Sequence, residues 1–183
     1  MKKHTILLIM LIMLLLITGC FQKENTNKSS NDISNQSSTD DDDDDDIEIP
    51  SGVGHKHCVR SGVGDDIETD LHYDIYYTDD TLNKLVSTEK VMSEKSDVLD
   101  EYQKAYENIN KSYKNLDYYE TTIERNDNYV VRYATIDYDN IDIKKILEIE
   151  GEEDNIIKNG KAKVSLWLKL GKKVGITCEE VEE

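Results

Sequence analysis

The chain lacks the short signatures of the common catalytic sites. It has no GxSxG elbow, no phosphate loop with two glycines before Lys and Ser or Thr, no HExxH and no spaced pair of Cys pairs. Serine-hydrolase, nucleotide-hydrolysing and zinc-protease chemistry therefore have no motif to rest on. Positive charge is also scarce: 22 Lys and Arg face 39 Asp and Glu, for a formal net charge of -17. A phosphate backbone rewards clustered Lys and Arg, so the composition argues against a nucleic-acid partner. Long apolar runs are missing too. The run at residues 6–17 holds twelve apolar residues, well short of the roughly 20 that a membrane-spanning helix needs.

That short run sits in a recognisable frame. Lys2 and Lys3 precede it, and Ile17, Thr18, Gly19 and Cys20 close it, which is the layout of a secretory signal with small residues before the cut. A Cys at the cleavage point marks a bacterial lipoprotein. Cys20 is then the lipid attachment residue and the first residue of the mature chain, held by acyl chains such as palmitate on the extracytoplasmic side of the cell membrane. Cleavage removes Lys2, Lys3 and no acid, so -17 becomes -19 in the mature chain. A polyanion is repelled by anionic headgroups, so the acyl anchor must hold it at the bilayer. Its charge suits cations, basic peptides or neutral wall glycans.

Three segments follow: a removed signal at 1–19, a tether at 20–56 and one domain at 57–183. The tether is rich in Asn, Ser and Asp and includes the seven aspartates Asp40 to Asp46. It has too little apolar area to offset the entropy of ordering it, and its like charges extend it. Consecutive Asp side chains point in different directions, so only diffuse Ca²⁺ binding is expected of them. Ser51, Gly52, Val53, Gly54 recurs as Ser61, Gly62, Val63, Gly64; the copy is too short for a structural repeat and reads as a duplication that lengthened the tether. Within it, His55, His57 and Cys58 suggest a metal cluster. Structural zinc needs four ligands from spaced pairs, and His72 is the remaining His of the mature chain, so the segment reads as linker and strand start, with no metal or other cofactor expected.

The domain opens on strict alternation. Ile67, Thr69, Leu71, Tyr73, Ile75 and Tyr77 share one face, a strand with one dry side. Asp79 and Asp80 turn the chain into a partner strand over 82–92, and His72 falls on the wet face. Ser96 is placed to cap a helix with a stripe at Leu99, Tyr102, Tyr106 and Ile109. A second hairpin runs through Tyr119, Thr121 and Ile123, turns at Asn126 to Asn128, and returns over 129–138. Asp142 opens a short helix, Val164, Trp167, Leu168 and Gly171 mark another, Gly175 stops it, and 176–181 reads as a closing strand. Two hairpins and a C-terminal strand, with one long and two shorter helices, define an α+β fold on an antiparallel sheet.

The lipobox, the polar tether, the Tyr-rich hairpin, the amphipathic helix, the second hairpin starting near Leu116, Asp117, Tyr118 and Tyr119, and the Trp167 helix stopped at Gly175 together resemble the YehR-type family of small bacterial lipoproteins over residues 58–181. The resemblance implies an α+β domain of uncharacterised role and supplies no catalytic residue.

No catalytic residue stands out from the residues themselves. Glu148, Glu150, Glu152, Glu153 and Asp154 surround Gly151 as a solvated acidic loop without the ligand spacing of a calcium loop. Asn159, Gly160 and Lys161 form a turn rather than half a phosphate loop. All eleven Tyr and the single Trp lie in the domain. Tyr73, Tyr77, Tyr102 and Tyr106 fall on core stripes, where a ring is buried while its hydroxyl reaches water; Tyr76, Tyr118 and Tyr138 fall off them and are the candidates for a contact surface for a wall glycan or a protein. Cys58 and Cys178 form an even pair in an oxidising compartment, which favours a disulfide over two free thiols. The expected protein is thus a monomeric, surface-displayed lipoprotein acting as a non-catalytic binding or structural module. A cell-envelope hydrolase with an unrecognised site is the alternative.

Overall fold

The structure, a computed structural model, describes residues 50–149 and 156–182. The signal, Cys20, most of the tether and the acidic stretch 150–154 lie outside the described residues. Strands β1 (Val53–Val63), β2 (Glu68–Thr78) and β3 (Thr81–Met92) come first, then helix α1 (Ser96–Tyr113) and strands β4 (Tyr119–Arg125) and β5 (Tyr129–Asp137). Helix α2 (Ile143–Leu147), the short strands β6 (Ile157–Lys158) and β7 (Lys161–Ala162), helix α3 (Val164–Lys173) and strand β8 (Thr177–Glu180) follow. Six strands form one antiparallel sheet in the order β4-β5-β3-β2-β1-β8, and β6 pairs with β7 as a separate ribbon. The α+β class and both hairpins are as the alternation predicts.

Side chains alternate across a strand, so the register assigns every residue to one of two faces. One face carries Cys58, Ile75, Tyr77, Leu85, Val91 and Val130, and both long helices lie on it. α1 sets Leu99, Tyr102 and Tyr106 against Val91 and Val130 over the β3 and β5 half. α3 sets Val164, Leu168 and Trp167 against Cys58, Ile75 and Tyr77 over the β1 and β2 half. Each fully buried aliphatic side chain contributes roughly 1.5–3 kcal/mol, and Ile75, Leu82, Leu99 and Val164 are among those below 2% exposed.

The segment around His57, expected as linker and strand start, is strand throughout, which corrects the linker half of that reading. The Ser-Gly-Val-Gly repeat brackets β1, an 11-residue strand with β2 on one side and β8 on the other. Its covered face holds Gly54, Lys56, Cys58, Arg60 and Gly62, without the apolar alternation that would mark a strand, because its partners supply what it lacks. The Tyr77 ring lies over Gly54, so close that a Cβ there would fall 2.3 Å from its hydroxyl. Lys56 pairs with Glu180 of β8, which also accepts from the Tyr77 hydroxyl at 2.8 Å. Cys58 stands opposite Cys178 in the register, and the two are joined by a disulfide across 120 residues. First and last strands are neighbours, as the pairing of those cysteines requires.

Helix starts also differ from expectation. Ser96 is the first residue of α1, not its cap; Lys95 stands at the cap without a side-chain bond, and the Ser96 hydroxyl accepts from Arg125. α3 likewise has no cap from its own preceding residue. Asp80, in the β2–β3 turn, accepts from the Ser165 amide at 2.9 Å instead, with Lys163 3.6 Å away. Asp142 caps α2 as predicted, through the Lys144 amide. Asn159 and Gly160 both take positive φ in the two-residue β6–β7 turn, the backbone that an Asn-Gly hairpin favours.

Candidate functional site

The face opposite α1 and α3 is largely polar over β1 and β2, with Val131 of β5, in register with Lys90, buried on it. Across it run His55, His57, Val59 and Ser61 of β1, beside Tyr76, Asp74, His72 and Asp70 of β2, in register pair by pair. β8 adds Glu179 opposite His57, and β3 adds Lys84, Val86, Thr88 and Lys90. A strand's period of two puts His55 and His57 on one face by necessity; the pairing of Cys58 with Tyr73 then fixes which β2 residues meet them.

The meeting is specific. His57 Nδ1 is 2.8 Å and His55 Nε2 3.1 Å from the same Asp74 oxygen. His57 Nε2 faces His72 Nδ1 at 3.4 Å, and His72 Nε2 lies 3.0 Å from Asp70. The His55 ring stacks on Tyr76 at 4.3 Å, with the Lys84 ammonium over the Tyr76 ring, 5.9 Å from its centroid. Burial alone would raise the Asp74 carboxyl, but hydrogen bonds and charge from His57 and His55 hold it below its ordinary value. The cluster is partly buried: the His57, His72 and Asp70 side chains are 42%, 39% and 43% exposed, and Asp74 and His55 lie deeper at 33% and 19%. Among the described residues no three His, Cys, Asp or Glu side chains are gathered as a ready-made metal cage.

Of the three off-stripe tyrosines, Tyr76 joins this cluster. Tyr118, exposed and at φ +64°, ends the same row of the sheet, since its carbonyl accepts from the Asp137 amide and Asp137 stands opposite Lys84. Tyr138 does not belong to the surface. It follows Ile136 by two residues, so the alternation that puts Val130, Arg132, Ala134 and Ile136 on the covered face puts Tyr138 there too, packed against the core with α3. His72 is on the wet face as predicted, but in a partnered cluster that counting ligands along the chain misses.

Two other places were candidates. Under the helices, buried Arg132 holds Glu89 at 2.7 Å and the Tyr119 hydroxyl at 3.0 Å, with its Nε unpartnered; the Tyr106 hydroxyl donates to the Glu89 carbonyl. This is a brace between β3, β4, β5 and α1, largely shielded from solvent. A cleft of about 230 Å³ lies between the end of α1 and α2, lined by Ser112, Asn115, Leu116, Lys145, Glu148 and Ile149, below the roughly 300 Å³ at which small-molecule sites begin.

Sheet and site together define an α+β domain with its helices on one face and a histidine-carboxylate-tyrosine surface on the other. The chain is similar to the NMR structure of YehR from Escherichia coli, at 19% identity over 75% of this chain and 96% of that one, with a TM-score of 0.44. It is also similar to the NMR structure of a protein from Streptococcus pneumoniae TIGR4, at 14% identity over 85% and 100%, again with a TM-score of 0.44. No protein-family model and no curated protein matches it. No residue role is carried over from either neighbour. No helix among the described residues is long and apolar enough to cross a membrane.

Proposed function

We propose that the chain is a lipid-anchored, extracytoplasmic, non-catalytic binding module that takes a cationic ligand on the polar sheet face over β1 and β2. One observation carries this reading: three imidazoles and three carboxylates, Asp70, Asp74 and Glu179, share the partly exposed sheet face opposite α1 and α3. The basic n-region, the apolar run and Cys20 support the anchor. The net charge of -17 supports a cation over an anion. A flat surface rimmed by Tyr76 and Lys84 suits contact from outside, whereas catalysis favours a concave site that excludes water.

The test is an amide map by NMR of the ¹⁵N-labelled mature chain, residues 20–183 with Cys20→Ser, titrated with divalent cations, a lysine-rich peptide and a neutral wall-glycan fragment. A cationic titrant is expected to move the amides of residues 55–59 and 70–76. Movement confined to the helix-covered side or to the aspartates at 40–46, or a response to the glycan alone, contradicts the reading.

A further inference from the structure

The hydrogen bonds of the cluster determine where its protons sit. An ionised carboxylate only accepts, so the ring nitrogen that faces it carries the hydrogen. Asp74 therefore places the His57 proton on Nδ1, and Asp70 places the His72 proton on Nε2. Both remaining nitrogens, His57 Nε2 and His72 Nδ1, are left with lone pairs, and these are the two atoms that face each other at 3.4 Å. Two lone pairs so oriented repel, and a positive charge between them, a metal ion or a proton shared as N–H···N, turns the arrangement into an attractive one.

Resting on the proposed binding face, we propose that His57 Nε2 and His72 Nδ1 form the seat of one borderline divalent transition-metal ion, Zn²⁺ being the reference case. Three features point to a metal. Bonds of about 2.0–2.1 Å to nitrogen at tetrahedral angles separate two ligands by roughly 3.4 Å, which is the separation found. Each imidazole has its other nitrogen bonded to a carboxylate, Asp74 or Asp70, the outer-shell arrangement that orients metal-ligating histidines and raises their basicity. The seat is also open, with two protein nitrogens in place and the other positions left to water. An open two-nitrogen seat fits reversible capture rather than a structural role. Imidazole selects Zn²⁺, Cu²⁺ or Ni²⁺ over the hard, oxygen-seeking Ca²⁺, so this seat differs in preference from the aspartate run of the tether.

The test uses the mature chain with Cys20→Ser and follows the imidazole ¹⁵N signals during titration with Zn²⁺, and with Ca²⁺ as the control for carboxylate binding. The expected result is one Zn²⁺ per chain shifting the His57 and His72 rings, with no ring shift from Ca²⁺. His57→Ala and His72→Ala are each expected to weaken Zn²⁺ binding at least tenfold, and Asp70→Asn and Asp74→Asn about 10–100-fold, in proteins whose urea midpoints show them folded. Zn²⁺ affinity unchanged in both Ala variants, or equal ring shifts from Ca²⁺, overturns the seat. The failures separate in the His57→Ala/His72→Ala double variant. If the lysine-rich peptide still moves the Tyr76 and Lys84 amides there while Zn²⁺ never bound the rings, the metal seat fails alone; if no polar-face amide of the wild type moves with any cation, the proposed function fails with it.

Discussion

The two faces of the sheet are built from the same strands and spend their residues differently. On the covered face Cys58, Ile75, Val91 and Val130 are buried under α1 and α3, and its polar groups are braced: Glu180 by Lys56 and Tyr77, Arg132 by Glu89 and Tyr119. On the polar face His57, His72, Asp70 and Tyr76 are each about 40% exposed and contribute little to burial. Stability belongs to one face, and the chemistry available to a ligand belongs to the other.

The largest effect is expected where the covered face closes on itself. Replacing Cys58 and Cys178 together by Ser opens a loop of about 120 residues, worth about 4–5 kcal/mol by the chain-entropy model, read as a fall in the urea midpoint. Alkylation of the unreduced, denatured protein at both residues would show that the bridge is absent. Arg132→Ala comes next. It leaves Glu89 buried without its partner, at a cost of about 3–5 kcal/mol, whereas Arg132→Met with Glu89→Leu is expected to lie close to wild type; equal losses in the two proteins would mean that packing, not charge, makes the brace.

Asp80 gives a smaller effect with a defined pH dependence. Burial alone would raise its carboxyl, but hydrogen bonds from Ser165 and the Lys163 charge hold it below the ordinary value. Its folded value is depressed, so its stabilisation is present above the unfolded value of about 3.9 and is lost as pH falls through the lower folded value. Asp80→Asn keeps an acceptor for the Ser165 amide and loses the charge, so it is expected to cost up to about 1 kcal/mol at pH 7, with the gap to wild type closing below pH 4. A gap that persists or widens in acid contradicts the assignment. On the polar face, Tyr76→Thr keeps strand propensity and is expected within about 0.5 kcal/mol of wild type in the same urea assay.

The contrast between the faces also explains what could be read in advance. β2 and α1 were legible because each has one buried stripe, alternating through Ile67, Thr69, Leu71, Tyr73, Ile75 and Tyr77 in one case and recurring at Leu99, Tyr102 and Tyr106 in the other. β1 was not, because Gly54, Lys56 and Arg60 occupy its covered face and its identity comes from Tyr77, Glu180 and Cys178, all distant in sequence. The site was half legible. His55 and His57 were visible as a pair and Tyr76 as an off-stripe ring, but the meeting of His57 with His72 depends on a strand register that pairs Val59 with His72, and no local pattern encodes that. Asp80 as the cap of α3, 85 residues away, was illegible for the same reason.

The division between the faces is tested most directly by one protein carrying His55→Thr, His57→Thr, His72→Thr and Tyr76→Thr, with its urea midpoint and its response to cationic titrants measured on the same sample. The account predicts a stability within about 1 kcal/mol of wild type and complete loss of the ligand-induced shifts at residues 55–59 and 70–76. A protein that loses several kcal/mol, or that stays stable and still binds, would contradict it.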